Sequence, residues 1–155
     1  MTVIRVLVLD FDGVLTDNLV HVDSEGKESV CCSRADSLGI AMVVESGIKV
    51  FVLSSEKDPV VAHRCQKMGL DYAKGIEDKR TFLGSWLAHN NFSSRELMYI
   101  GNDINDIGCL ELAEIGAVVP GSPPDVVAVA NCFLNAPGGR GAVREACDLL
   151  LSGDI

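Results

Sequence analysis

The chain has 155 residues, 48% of them hydrophobic, with 22 acidic against 13 basic side chains and a net charge of −9. That length supports one folded unit with a packed core, and no apolar stretch reaches the roughly 20 residues of a membrane helix. The acidic balance excludes long-range attraction for nucleic acid or anionic lipid, so an anionic ligand needs a local cluster of Lys, Arg and backbone N–H groups. The N-terminus shows no basic segment followed by an apolar stretch and a small-residue cleavage site, which predicts a cytoplasmic protein. Cys31 and Cys32 are adjacent, and Cys65, Cys109, Cys132 and Cys147 sit in apolar periodic segments. With no Cys-x-x-Cys and no Cys/His pair at zinc spacing, the thiols are expected to be reduced and mostly buried.

In chain order, residues 5–9 form a short continuous apolar run, as in a strand buried on both faces, and similar runs recur at 49–53, 97–100, 117–119 and 132–134. Helical periodicity fills the gaps at 37–46, 59–68, 79–90, 105–113 and 124–130, with a last helix at 142–151. Asp58-Pro59 reads as a cap followed by a first-turn proline, and Gly47 and Gly69 fall where helices end in a left-handed residue. Strands alternating with helices predict an α/β fold, a mostly parallel sheet with helices on both faces, in a single domain over 1–155. One segment interrupts the alternation: residues 19–32 read as a projecting β-hairpin turning at Asp23-Ser24-Glu25-Gly26.

The chemistry-bearing residues fall at strand ends. Asp10-Phe11-Asp12-Gly13 follows the first strand directly, and ligands of open parallel sheets sit beyond the carboxyl ends of the strands. A second cluster, Gly101-Asn102-Asp103-Ile104-Asn105-Asp106, follows the strand at 97–100. Carboxylates gathered this closely are costly to keep charged without a cation, and a hard ion such as Mg²⁺ suits oxygen ligands of this kind. Ser54 ends the strand at 49–53, where a hydroxyl and nearby N–H groups can hold a phosphate oxygen, and Lys79 opens a helix as a fixed cation.

The order Asp-x-Asp, Ser, Lys, Gly-Asn-Asp-x-x-Asp resembles the haloacid dehalogenase superfamily of phosphotransferases, whose core is Rossmann-like. The resemblance implies that Asp10 attacks phosphorus, that Asp12 acts as acid and then base, and that Ser54 and Lys79 hold the transferring group. It implies Mg²⁺ held by the Asp10 carboxylate, the Asp12 carbonyl and Asn102, which stands where the superfamily usually has Asp. Asp103 is the alternative third ligand or orders a metal-bound water, and Asp106 is the acid behind them that orients Lys79 or such a water. Ser55 departs from a frequent Gly.

Only the hairpin fits the gap after the first motif, and Ser54 to Lys79 leaves room for a helix and a short strand. The chain is therefore similar to the capless group, which includes phosphatases of 3-deoxy-D-manno-octulosonate 8-phosphate and of nine-carbon keto sugar acid 9-phosphates. That group implies a homotetramer assembled through the hairpins. Arg64 and Lys67, three apart on one helix, either help Ser55 and Glu56 hold a sugar acid or form a solvated basic face. Acid at Glu56 with base at Arg64 and Lys67 resembles the nine-carbon subset, and Arg140 in the tail Pro137-Gly138-Gly139-Arg140-Gly141 is a candidate anion contact or part of a flexible turn. The competing readings are a non-catalytic assembly domain accompanying an acylneuraminate cytidylyltransferase, a phosphorelay receiver and a metal-binding module.

Overall fold

The computed structural model describes residues 3–155; Met1 and Thr2, part of the segment read above for a leader, lie outside the described residues. The strands are β1 (Val6–Leu9), β2 (His21–Val22), β3 (Glu28–Ser29), β4 (Lys49–Leu53), β5 (Asp71–Ala73), β6 (Leu97–Gly101), β7 (Ile115–Val118) and β8 (Cys132–Phe133). The helices are α1 (Arg34–Glu45), α2 (Val60–Met68), α3 (Lys79–His89), α4 (Ile107–Leu112), α5 (Pro124–Val127) and α6 (Ala142–Ser152). Six strands pair in parallel in the order β5-β4-β1-β6-β7-β8, and β2 and β3 form a separate antiparallel ribbon.

Alternation along the strands sorts the core into two layers. Leu7 and Leu9 of β1 pack with Ile40, Val43, Val61 and Val143 on the face covered by α1, α2 and α6. Val6 and Val8 pack with Phe51, Leu83, Leu87, Tyr99 and Leu110 on the face covered by α3 and α4. The lone tryptophan, Trp86, stacks on Phe51 at 4.4 Å between ring centroids, so it braces α3 against β4.

Several predicted boundaries move, each for a local reason. Helix α1 starts at Arg34, because the Ser33 hydroxyl accepts from the Ala35 N–H at 3.2 Å and caps it. The helix predicted at 105–113 divides into a 3-10 turn (Ile104–Asp106) and α4, since Asp103 and Asp106 cap that turn reciprocally. The segment at 124–130 is helical only to Val127, and β7 begins at Ile115 rather than 117. The projecting hairpin is present with short ladders, and an antiparallel bridge from Thr16 to Cys32 ties its base to the loop after β1.

Register is what positions the site. Leu9 pairs with Val52 on one side and Ile100 on the other. One step further, Asp10 lies level with Leu53 and Gly101, next to Ser54 and Asn102. The loop after β1 is braced from the far end of the chain: the Gly139 N–H donates to the Val14 carbonyl at 3.0 Å. A Cβ on Gly138 would sit 1.9 Å from the Gly13 carbonyl oxygen, so only glycine allows this approach. Gly138→Ala must push the two backbones apart. Overpacking of that kind costs about 1–3 kcal/mol, so Tm by calorimetry should fall by about 3–10 °C. An unchanged Tm would show that the loops do not brace each other.

Candidate active site at the strand ends

Asp10 has one oxygen for each side of the site. Its Oδ1 accepts from its neighbour Phe11 N–H at 2.7 Å and from the Lys79 ammonium at 2.9 Å. Its Oδ2 faces the Asn102 side-chain oxygen at 2.9 Å, and that same amide oxygen lies 2.9 Å from the Asp12 carbonyl oxygen. Acceptors facing one another without a proton between them repel. Two arrangements remove the repulsion: the amide turns over and donates its NH₂ to both oxygens, or a cation sits among the three. The 2.9 Å spacings suit either arrangement, being an ordinary N–H···O distance and about the separation of adjacent ligands of an octahedral Mg²⁺ at about 2.05 Å. Gly13 makes room for the amide; with φ +88° it brings its Cα so close that a Cβ would meet Asn102 Nδ2 at 2.0 Å. Among the described residues no three His, Cys, Asp or Glu side chains gather into a metal cluster. The oxygen set therefore depends on one amide and one backbone carbonyl beside a single carboxylate.

Lys79 is the other half of the site. It opens α3 fully buried, with its Nζ 2.9 Å from Asp10 Oδ1 and 2.9 Å from Asp106 Oδ1. Burial works against its charge, but the two carboxylates and their hydrogen bonds outweigh it, and its pKa lies above the ordinary lysine value. Asp106 is saturated: Oδ1 also accepts from the Tyr99 hydroxyl at 2.5 Å, and Oδ2 from the N–H groups of Asn102 at 2.9 Å and Asp103 at 3.2 Å. Gly101 permits this, since a Cβ there would meet Asp106 Cβ at 2.5 Å.

Burial, then the charge of Asp106, pushes the Asp10 carboxyl up to about 8 against the pull of Lys79. Asp12 is half-buried, and burial followed by the charge of Glu56 raises its pKa as well. A carboxyl so tuned holds a proton more readily than an exposed one, which suits an acid–base role.

Two cavities flank this centre. The larger, about 510 Å³, is lined by Gly13, Asn102, Asp103, Pro120, Gly138 and Arg140 among others. The smaller, about 270 Å³, is lined by Asp12, Glu56 and Asp58 with Val20, Glu28 and Val30 of the hairpin. Ser54 is buried at the end of β4, its hydroxyl accepting from the Glu56 N–H at 3.1 Å. Ser55 is exposed and accepts from Asn105 Nδ2 at 3.1 Å, linking two of the loops. Arg140 is exposed on the rim, 4.0 Å from Asp17.

Of the expected contributors, Asp103 lines the larger cavity but turns its carboxylate to other work, and Arg64 and Lys67 lie away from both cavities. Asp103 spends a carboxylate oxygen on the N–H of Ile104 at 2.7 Å, capping the 3-10 turn, while Asn102 faces the Asp10 and Asp12 oxygens. Arg64 donates to the Ser37 hydroxyl at 2.6 Å, between α2 and α1, and Lys67 is exposed. Neither lines the two cavities, because α2 starts near the strand ends and descends. Residues 64 and 67 lie roughly 6 and 10 Å along its axis from Val60. Conversely, the sequence marks no role for Tyr99 or Thr16, and shows Gly138 only as part of the tail around Arg140. Thr16 is fully buried, and its hydroxyl accepts from the N–H groups of Gly13 at 3.1 Å and Asn18 at 3.2 Å. The available signal for Tyr99 was a phenol inside an otherwise aliphatic core strand.

Residues 64–141 match the family described as haloacid dehalogenase-like hydrolase. The chain is 32% identical over 149 residues to the 3-deoxy-D-manno-octulosonate 8-phosphate phosphatase of Escherichia coli K12, covering 96% of this chain and 79% of that one. Among solved structures, the same phosphatase from Moraxella catarrhalis, in complex with magnesium ion, phosphate ion and KDO, superposes with a TM-score of 0.93 at 30% identity, covering 96% of this chain and 86% of that one. The cobalt-bound Haemophilus influenzae counterpart gives 0.91 at 29% identity, covering 96% and 88%. The chain belongs to the haloacid dehalogenase-like hydrolases and is a phosphatase of that family. Its closely similar solved relatives include phosphatases bound to a divalent cation.

The raised pKa of Asp10 has a thermodynamic consequence. A carboxyl with a folded-state pKa above its unfolded value contributes stability below the unfolded value, and that contribution is lost as pH rises through about 8. A divalent cation binds the ionised form and reverses the loss. The rise in Tm produced by saturating MgCl₂ should therefore be larger above pH 8 than at pH 6. An increment independent of pH would separate Asp10 from the cation.

Proposed function

We propose that the protein is a magnesium-dependent phosphomonoesterase that hydrolyses a phosphorylated 2-keto-3-deoxy sugar acid through a phosphoaspartate on Asp10, in a single capless domain over residues 1–155. The observation that carries this reading is the division of labour at Asp10: one oxygen among the acceptors of Asn102 and Asp12, the other on Lys79. The Asp10 carboxylate attacks phosphorus and displaces the sugar oxygen, which takes the proton of Asp12. Asp12 then removes a proton from a water molecule, which attacks the same phosphorus and frees both phosphate and Asp10. Ser54 and Lys79 hold the phosphoryl oxygens and offset their charge. Magnesium, held by the Asp10 carboxylate, the Asp12 carbonyl and Asn102, supplies positive charge to the transferring group. Asp106 fixes Lys79.

The substrate class is supported by the names of the relatives and by Arg140, a cation on the rim of the larger cavity. Within the class we favour nine-carbon 9-phosphates over the eight-carbon 8-phosphate. Glu56 beside Asp12 lines the smaller cavity with Oε1 accepting from the N–H groups of Lys57 and Asp58, which leaves Oε2 for sugar hydroxyls, and its charge repels a carboxylate, which is directed toward Arg140. Arg64 and Lys67 have no part in this binding, given their placement on α2. We further infer a homotetramer, supported by the exposed Leu19, Val20 and Val22 of the hairpin, which leaves the cavities open to a neighbour. A cytoplasmic setting accords with the free thiols. Among the described residues no helix is long and apolar enough to cross a membrane.

Asp10→Asn should abolish phosphate release, by at least about a thousandfold, while preserving Tm within a few degrees. A panel of eight- and nine-carbon keto sugar acid phosphates, with hexose phosphates as controls, should give the highest kcat/KM for a nine-carbon member. Equal rates across the panel would remove the substrate assignment while leaving the chemistry intact. Asn102→Asp should tighten Mg²⁺ binding about tenfold by titration calorimetry, because it adds a charge to the oxygen set. Unchanged affinity would place the cation elsewhere.

A further inference from the structure

The buried strands β1, β4 and β6 carry one phenol, Tyr99, in the run Leu-Met-Tyr-Ile-Gly of β6. Its ring packs in the core layer under α3 and α4 and is fully buried. Phenylalanine fills the same volume there without a polar atom to satisfy. The hydroxyl donates to Asp106 Oδ1 at 2.5 Å and also meets the Cys109 thiol of α4, and Asp106 Oδ1 takes the Lys79 ammonium at 2.9 Å as well. The other Asp106 oxygen is fixed by the N–H groups of Asn102 and Asp103. The phenol, carried on a rigid central strand, is a second fixed donor to the oxygen that takes Lys79.

The consequence reaches the reacting group in two bonds. Lys79 bridges Asp106 and Asp10 at equal distances of 2.9 Å. Each carboxylate therefore competes for the same ammonium. When the Tyr99 hydroxyl occupies part of the Asp106 Oδ1 acceptor capacity, less of it remains for Lys79, and the ammonium is left shared with Asp10. Without the phenol, Asp106 regains a full lone pair and draws Lys79 toward itself and away from Asp10. We propose that Tyr99 is a positioning residue for phosphoryl transfer: through Asp106 it sets how Lys79 is divided between Asp106 and Asp10. This rests on the phosphomonoesterase reading above, in which Lys79 stabilises the transferring group.

Tyr99→Phe tests it, with p-nitrophenyl phosphate and saturating MgCl₂ as the assay. The expected result is a kcat about tenfold lower, the effect of one lost hydrogen bond to a charged group, with KM within about twofold and Tm within a few degrees of the parent. A second measurement localises the effect: in an Asp106→Asn background, where the charged acceptor is gone, adding Tyr99→Phe should change kcat by less than about twofold. An unchanged kcat in the single variant overturns the proposal. So does a kcat loss that accompanies a large fall in Tm, which assigns the hydroxyl to stability. A tenfold loss that persists with Asp106→Asn also overturns it, because the hydroxyl then acts by another route. Failure of the parent protein to release phosphate instead defeats the phosphomonoesterase reading, and so the two failures are distinct.

Discussion

The Lys79 ammonium, held without solvent between two carboxylates, is the interaction on which the rest of the site depends. Burying one charge is expensive, and burying a lysine at the start of a helix adds opposition from the helix dipole. Asp10 and Asp106 offset this because they approach from different strand ends at hydrogen-bond distance. Burial, then the charge of Asp106, pushes Asp10 toward its neutral form against the pull of Lys79. In the function proposed above, a divalent cation among the Asp10, Asp12 and Asn102 oxygens holds Asp10 ionised instead.

Holding these groups in place falls to backbone features more than to side chains. Asp10 donates its N–H to the Ile100 carbonyl at 3.0 Å, which extends the sheet register to the carboxylate itself. Beyond it, the chain turns through Gly13 and is gripped by the Thr16 hydroxyl, the hairpin base at Cys32 and the glycine-rich segment before α6. That last segment is anchored in turn by Glu145, whose carboxylate accepts from the N–H groups of Asn135 and Ala136. The loop carrying Asp10 and Asp12 therefore depends on the last fifth of the chain.

Substrate enclosure is less complete. The two cavities open on either side of Asp12 and Asn102, one with Arg140 on its rim and the other lined by acids and the hairpin. The hairpin stands over the second cavity with Leu19, Val20 and Val22 exposed. A small flexible substrate is poorly desolvated in such a setting, so what closes over it matters as much as the residues beneath.

Much of this was written in the order of residues. Apolar runs separated by helical periods determined the parallel sheet, and Asp10, Asp12, Ser54, Lys79 and the Asn102–Asp106 cluster were legible because strand-end positions follow directly from where each run stops. The hairpin was legible from its break in the strand–helix alternation and its Gly26 turn. Three-dimensional packing decided the rest. Spacing placed Arg64 and Lys67 near Ser54, but helix α2 carries them down and away from the strand ends, which no one-dimensional count reveals. Asn102 and Asp103 are adjacent, and only the cap on the turn settles which side chain faces Asp10. Tyr99 offered only a phenol in an aliphatic strand, and Gly138 gave no separate signal because the backbone it approaches, at Gly13 and Thr16, lies at the other end of the chain; Thr16 bonds locally, to the N–H groups of Gly13 and Asn18, in a turn whose shape is fixed only by the packing around it.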